Sequence, residues 1–201
     1  MIDPSGGIDR QGDVLLEGGK VRQVGVAAGV KAATVVDARG LLVCPGLIDI
    51  HVHFREPGGE DAETIATGAA AAVAGGFTSV ACMPNTQPAV DNEAAVEFII
   101  RQADRAGLCT VYPIGAATKG RAGKELAEMG DMVRAGAVAF SDDGGCVRSS
   151  SVTFKAMQYI SMFDKCLIQH CEDEDLAGAG VMNGGVTSAG LGLPGISPMG
   201  E

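Results

Sequence analysis

The fold of this 201-residue chain is decided by residues 46–58, which read GLIDIHVHFREPG. The apolar residues at its start predict a buried strand, and side chains alternate along a strand, so His51 and His53 point to the same side. The strand gives way to a loop that contains Pro57 and Gly58. Two imidazoles at a strand end can hold a metal ion, and a catalytic zinc needs few protein ligands. The spacing alone also fits two ordinary polar residues near a strand end. Because the chain has only three histidines, two of them in this pattern favour a metal site.

Downstream of this stretch, predicted strands alternate with predicted helices. The strands are expected at residues 47–53, 78–83, 110–114, 137–141 and 166–170. The helices are expected at residues 60–74, 92–106, 124–135 and 150–164. Glycines follow three of these helices, as helix-terminating residues do. The alternation predicts an α/β fold with a parallel sheet.

A parallel α/β sheet can be an open doubly wound sheet or part of a (β/α)8 barrel, and the positions of the polar residues distinguish between the two. His51 and His53, Asn85, Asp143 and His170 all lie at or just beyond the carboxyl ends of four different predicted strands. Barrel enzymes build their sites from several strand ends at once, whereas open sheets bind ligands near one switch point. The sequence therefore predicts a (β/α)8 TIM-type barrel, incomplete here with about five strands.

Residues 1–43 differ from the rest and predict a small β side domain, with the barrel portion over residues 44–201. A hairpin is expected over residues 13–21 around Gly18-Gly19, and short strands over 34–37 and 41–43. Residues 178–200 are rich in Gly and Pro and are expected to form a loop. A complete barrel needs about 250 residues. We therefore expect the sequence to be partial, lacking several strands.

Composition excludes several classes of protein. Apolar residues make up 46% of the chain and the formal net charge is −10. An acidic protein of this kind is not expected to bind nucleic acid or an anionic membrane surface. There is no apolar stretch of transmembrane length and no secretory pattern at the N-terminus. Six cysteines without CxxC spacing indicate a reduced, cytoplasmic protein, and a disulfide framework is the alternative.

Four short motifs together carry a family resemblance. They are residues 49–58 (DIHVHFREPG), 83–86 (MPNT), 141–144 (SDDG) and 170–173 (HCED). In this order and at these spacings they resemble the motifs of the dihydroorotases, which are cyclic amidohydrolases, and the resemblance covers nearly the whole chain. It implies a barrel with a small side domain. It also implies reversible hydrolysis of dihydroorotate to N-carbamoyl-L-aspartate, a step of pyrimidine biosynthesis.

The resemblance further implies a centre of one or two Zn²⁺ ions. His51 and His53 would bind one ion, His170 the other, and Asp143 would bridge them. Many cyclic amidohydrolases use a carboxylated lysine as the bridge, but this strand contains no lysine. Asp142 remains the alternative bridging residue, and an Asp-Gly turn without a metal role also fits Asp143-Gly144.

The substrate is expected to carry a carboxylate. Arg55 would share the face of the histidines if the strand continued, and guanidinium binds carboxylates with two parallel hydrogen bonds. Asn85 offers both a donor and an acceptor. The resemblance implies that Arg55 and Asn85 hold the carboxylate and that His53 also lies against the substrate. A solvated arginine and a turn asparagine are the alternatives.

No residue of the chain fits the general acid or base, which the resemblance places on an aspartate beyond residue 201. The 201-residue chain alone is therefore expected to be inactive. Two other functions stay open. One is a different cyclic amidohydrolase, acting on hydantoins, dihydropyrimidines or allantoin. The other is a non-catalytic scaffold for aspartate carbamoyltransferase. A homo-oligomer or a complex with that transferase is the expected assembly.

Overall fold

The computed structural model describes residues 1–27 and 29–200, and the chain divides into two compact units, the first ending at Gly46. The first unit contains two antiparallel pairs of strands. These are β1 (Ile2–Asp3) with β2 (Ile8–Asp9), and β3 (Asp13–Glu17) with β4 (Lys20–Gly25). Gly18 and Gly19 connect β3 to β4 with φ angles of +58° and +75°. Positive φ at both turn positions is what a tight two-residue hairpin requires, so the predicted hairpin is confirmed.

The prediction of strands at 34–37 and 41–43 is wrong, because these residues form no strand in the described structure. Their apolar side chains are largely exposed, as Val35 and Leu41 show at 83% and 69%. β-branched and apolar residues favour a strand, but hydrogen bonds from a neighbouring strand must complete it. Here the segment receives one such bond, from the Ile2 amide to the Val43 carbonyl.

The second unit, which begins at Leu47, is built on a five-stranded parallel sheet. Its strands are β5 (Leu47–Val52), β6 (Phe77–Cys82), β7 (Thr110–Gly115), β8 (Ala139–Ser141) and β9 (Leu167–Ile168). The strands neighbour one another in sequential order, with every pair parallel. A doubly wound sheet would reverse its order at a switch point, whereas a barrel adds strands in sequence. The predicted α/β barrel fold, present as five successive strands, is confirmed. The predicted burial of β5 is wrong, because Ile48 and Ile50 are 67% and 69% exposed.

Each of the first four sheet strands is followed by a helix. The helices are α1 (Ile65–Ala74), α2 (Glu93–Ala106), α3 (Met129–Ala135) and α4 (Ser150–Ser161). Side chains of Thr64, Asn92 and Ser149 accept hydrogen bonds from first-turn amides and begin α1, α2 and α4. Gly107 and Gly136, in the left-handed conformation, terminate α2 and α3 as predicted.

Two helices begin later than predicted. The helix predicted from residue 60 begins at Ile65, because Thr64 caps it. The helix predicted from residue 124 begins at Met129, because Leu126 instead pairs with Thr118 in an antiparallel bridge. Helical propensity in these segments is overridden by a cap in one case and by strand pairing in the other.

The core lies between the sheet and its helices, and large side chains such as Phe140, Ile99 and Met132 are fully buried in it. Small residues allow close contacts at its edge. A Cβ at Gly68 of α1 would lie 2.3 Å from the Phe54 ring. The missing side chain therefore lets Phe54 pack against α1, and this fixes the chain directly after His53.

A short helix, α5 (Glu174–Ala177), follows β9. Residues 178–200 are not the simple loop that their glycines predict. They contain the short elements β10 (Met182–Asn183), α6 (Val186–Leu191) and β11 (Gly195–Ile196), with β10 and β11 parallel. Elements only two to six residues long are too short to show a hydrophobic periodicity in the sequence. Among the described helices, none has the length and apolarity needed to cross a membrane.

Candidate metal centre

Three histidines and one aspartate meet where strands β5, β8 and β9 end. His51 lies on β5 and His53 follows its last residue, while Asp143 and His170 each come two residues after the end of β8 and β9. The carboxyl ends of parallel strands lie along one edge of a sheet, so these residues converge although they are far apart in sequence. The Asp143 side chain is only 4% exposed and lies in the middle of the group.

All three imidazoles face the Asp143 carboxylate. The Nε2 atoms of His51 and His53 lie 3.3 and 3.6 Å from its two oxygens. The Nδ1 atom of His170 lies 3.4 Å from Oδ1. The rings of His51 and His53 meet edge to face, with centroids 5.1 Å apart. Asp143 is thus the common partner of the three histidines.

These separations fit a metal site better than a set of hydrogen bonds. Charge-assisted hydrogen bonds between nitrogen and oxygen are about 2.7–2.9 Å long, whereas the three distances here are 3.3, 3.4 and 3.6 Å. Zinc bonds of about 2.0–2.2 Å at tetrahedral angles place two ligand atoms about 3.3 Å apart. One ligand atom each of His51, His53 and Asp143 lies within 4.8 Å of the others. The residues present therefore fit a cation held between imidazole and carboxylate.

The far nitrogens of two rings have partners that fix which nitrogen carries the proton. His53 Nδ1 lies 2.9 Å from Asn85 Oδ1, and His170 Nε2 lies 3.0 Å from Glu172 Oε2. Both oxygens accept, so the ring nitrogens bound to them donate. The opposite nitrogens, which face Asp143, keep their lone pairs. This arrangement is common around metal-ligating histidines, whose second nitrogen donates to a carboxylate or carbonyl oxygen.

Asp142 lies beside Asp143 but is engaged elsewhere. It is 2% exposed and accepts hydrogen bonds from both the main-chain amide of Thr118, at 3.0 Å, and the Thr118 hydroxyl. The Ser141 hydroxyl accepts a hydrogen bond from the Asp143 amide at 3.0 Å. The geometry therefore presents Asp143, and not Asp142, to the histidines.

Cys82, at the end of β6, contributes no ligand. Burial raises the pKa of its thiol to about 12, because a thiolate would lose its hydration there. A cysteine must be deprotonated to bind zinc. Cys82 is therefore a small apolar residue of the core beside Met83.

The loops that follow β5 and β6 pack onto each other and form a hollow of about 210 Å³. The Gln87 amide donates to the Pro57 carbonyl at 3.0 Å. Gly58 has a φ of +92°, and a Cβ there would lie 2.1 Å from the Gln87 carbonyl oxygen, so only glycine fits. The hollow is lined by Arg55, Pro57, Gly58, Gly59, Asn85, Thr86, Gln87 and Arg121.

The hollow brings Arg55 and Asn85 together, 30 positions apart in the chain, and adds one residue that the sequence did not single out. That residue is Arg121, which donates a hydrogen bond to the Asp143 carbonyl through Nη1. In the sequence it follows Lys119-Gly120 in a polar segment typical of a solvated turn, so no local signal identifies it. The lining contains two arginines and no acidic residue.

Comparison with known proteins shows the family of the chain. The sequence profile of a family described as "Dihydro-orotase-like" matches residues 40–201. The chain belongs to this dihydro-orotase-like family. The match includes all four residues of the candidate metal centre, and it begins near the end of the first structural unit.

Members of the family are similar over the whole chain. A dihydroorotase of Pelotomaculum thermopropionicum is 51% identical over 201 residues, which are 100% of this chain and 47% of that protein. A dihydroorotase of Geobacter sulfurreducens is 52% identical, over 98% of this chain and 46% of its own. The chain thus spans about half the length of the curated relatives it matches.

A solved structure is also similar. The L-hydantoinase (dihydropyrimidinase) from Arthrobacter aurescens superposes with a TM-score of 0.67 at 25% identity, over 83% of this chain and 38% of that one. The likeness supports placing this dihydro-orotase-like chain among cyclic amidohydrolase folds.

Proposed function

We propose that this chain supplies a metal centre and a carboxylate-binding hollow to a dihydroorotase. The observation that carries the proposal is the buried Asp143 carboxylate, surrounded by three imidazole nitrogens at 3.3–3.6 Å. The reaction is the reversible opening of the dihydroorotate ring. Water adds its oxygen to the ring amide carbon, the carbon–nitrogen bond breaks, and the nitrogen takes a proton to give N-carbamoyl-L-aspartate.

In this proposal His51, His53, His170 and Asp143 would hold one or two zinc ions. When bound, zinc polarises an amide carbonyl and lowers the pKa of water towards neutrality. The chain's own contribution is orientation: Asn85 and Glu172 hold the rings of His53 and His170 so that unprotonated nitrogens face the centre.

Arg55 and Asn85 hold the substrate carboxylate in the hollow. Arg55 is exposed and lines the hollow beside Asn85. Because the Oδ1 atom of Asn85 is engaged with His53, its amide nitrogen is left to donate to the substrate. Holding the carboxylate in this way places the ring amide towards the histidines, and such positioning supplies much of the rate acceleration. We assign the proton-transferring group to the part of the relatives that this chain does not span.

Two other functions are weighed against these observations. A cyclic amidohydrolase for hydantoins or dihydropyrimidines is favoured by the structural likeness to L-hydantoinase. Substrates without a carboxylate would, however, leave the two arginines of the hollow without an anion. A non-catalytic scaffold for aspartate carbamoyltransferase would not need three imidazoles converging on one buried carboxylate.

The experiment that tests the function uses the complete gene product. Zinc content is measured by mass spectrometry, and turnover is measured with dihydroorotate, dihydrouracil and hydantoin. We expect bound zinc and turnover of dihydroorotate in preference to the other two. Preference for hydantoin would establish the alternative enzyme, and a protein without zinc and without turnover would establish the scaffold.

We also propose that residues 1–43 belong to a small β side domain and residues 44–201 to the barrel, in a cytoplasmic enzyme. Association with itself or with aspartate carbamoyltransferase is part of the proposal. Light scattering of the complete gene product, alone and mixed with the transferase of the same organism, measures both assemblies. A mass equal to one chain in both samples would contradict them.

A further inference from the structure

Arg121 lies in the loop between β7 and α3, and this loop is itself held in a fixed shape. The Lys119 amide donates to the Glu125 carbonyl at 2.9 Å, and the Ala127 amide donates to the Ala117 carbonyl at 3.0 Å. These bonds fold residues 117–127 into a hairpin, with Arg121 near its tip.

Hydrogen bonds from the base of the hairpin tie it to the metal centre. The fully buried Thr118 donates its amide and its hydroxyl to Asp142, and its hydroxyl oxygen accepts the Gly123 amide at 2.8 Å. Asp142 is the direct neighbour of Asp143. The hairpin is therefore anchored at the end of β8, which places Arg121 beside the strand ends.

The backbone at Arg121 is unusual. Arg121 has a φ of +56°, directly after Gly120 at +57°. Residues other than glycine rarely adopt this conformation, and such residues cluster at functional sites. The side chain reaches the turn after β8, where Nη1 donates to the Asp143 carbonyl. A Cβ at Gly144 would lie 3.1 Å from this Nη1 and 3.3 Å from Asn85 Nδ2, so the two side chains meet across the glycine.

The hollow is positively charged. The chain carries a net charge of −10, yet the hollow contains Arg55 and Arg121 with no acidic residue. Two guanidinium groups in one small space repel each other unless an anion lies between them. The Nε atom of Arg121 is moreover buried and has no hydrogen-bond acceptor among the described residues. A buried donor without a partner is uncommon in folded proteins.

We propose that Arg121 is a second residue that binds the substrate carboxylate, opposite Arg55. One of its N–H groups holds the Asp143 carbonyl, and the side chain lines the hollow together with Asn85 and Arg55. The same side chain therefore contacts both the hollow and the main chain of the turn after β8. The inference rests on the proposed function, because it assumes that the substrate of this site carries a carboxylate.

The test compares R121Q and R121K with the wild type in the complete gene product. R101Q is the matched control, since Arg101 is an exposed arginine of α2 that pairs with Glu97. We expect R121Q to raise KM for dihydroorotate about tenfold or more, as loss of a charge-assisted hydrogen bond implies. Zinc content and kcat should stay near those of the wild type. R121K should keep the bond to Asp143 but not the two-pronged geometry, so it should raise KM less.

Other results would overturn the proposal. An unchanged KM in R121Q, or a loss of zinc and kcat with KM unchanged, would make Arg121 a support of the Asp143 turn only. If R121Q does not fold, an unchanged KM in R121K would likewise show that Arg121 does not bind the substrate. If the wild type does not turn over dihydroorotate, the proposed function fails. Equilibrium binding of dihydroorotate by calorimetry, weakened in R121Q but not in R101Q, would then still support Arg121.

Discussion

The Nδ1 atom of His53 lies 2.9 Å from the Oδ1 atom of Asn85, although 32 positions separate the two residues. This contact joins the candidate metal centre to the hollow that holds Arg55 and Arg121. The asparagine amide has two ends with opposite roles. Its oxygen accepts a hydrogen bond from an imidazole, and in the proposed function its nitrogen donates to the substrate carboxylate.

Replacing Asn85 separates these two roles. N85D keeps an oxygen acceptor for His53 but puts a negative charge where the substrate carboxylate would lie. We expect N85D to retain zinc and to raise KM for dihydroorotate more than tenfold, by about the cost of one lost hydrogen bond plus charge repulsion. N85A removes both ends and should lose zinc affinity as well. Equal zinc loss in the two variants would show that the acceptor does not orient His53.

Asp142 and Asp143 give a matched pair of neighbouring substitutions. D143N should abolish zinc binding, because the carboxylate that faces all three histidines is lost. D142N should retain zinc, since Asp142 contacts Thr118 instead. Its weaker bond to the Thr118 hydroxyl should lower the free energy of unfolding by about 1–3 kcal/mol. Zinc analysis and urea denaturation measure the two effects, and the reverse pattern would assign the metal ligand to Asp142.

The sequence predicts the sheet and the convergence of His51, His53, Asp143 and His170, because both depend on local patterns. Strands alternate with helices, and polar residues placed at the ends of parallel strands must lie at one edge of the sheet. The family resemblance favours Asp143 over Asp142, and the buried contact of Asp142 with Thr118 is visible only in the structure.

Other features depend on contacts that no local pattern encodes. Arg121 reaches the hollow through the left-handed conformation of two consecutive residues and the pairing of Thr118 with Leu126. The apolar residues at 34–37 resemble a strand in sequence, yet a strand requires a neighbour that supplies hydrogen bonds. The position of Arg121 and the absence of a strand at residues 34–37 both depend on other parts of the chain, and the sequence around each does not encode them.

Glu172 is expected to control the affinity of His170 for metal. Its carboxylate lies 3.0 Å from His170 Nε2 and keeps the other nitrogen, Nδ1, free to face Asp143. Removing such a partner weakens metal binding about 10- to 100-fold. We therefore expect E172A to require a correspondingly higher free zinc concentration for half-saturation. E172Q, which retains an oxygen acceptor, should lose less.

The control for this experiment is E174Q. Glu174 is also acidic and close in sequence, but it pairs with Arg148 and does not contact His170. Zinc titration with a competing chelator measures all three variants. If E174Q weakened zinc binding as much as E172A, the effect would be one of general charge and not of ring orientation.

Gly68 is expected to be essential for the position of the chain next to His53. G68A would place a Cβ 2.3 Å from the Phe54 ring, inside a packed contact that cannot yield easily. Overpacking of this kind costs about 1–3 kcal/mol of unfolding free energy. G190A is the matched control, because Gly190 also lies in a helix and a Cβ there meets nothing within 4 Å. Urea denaturation should show a loss for G68A and none for G190A. Because Phe54 directly follows His53, the zinc affinity of G68A should also fall, whereas unchanged affinity would mean that the β5 end holds its shape without this contact.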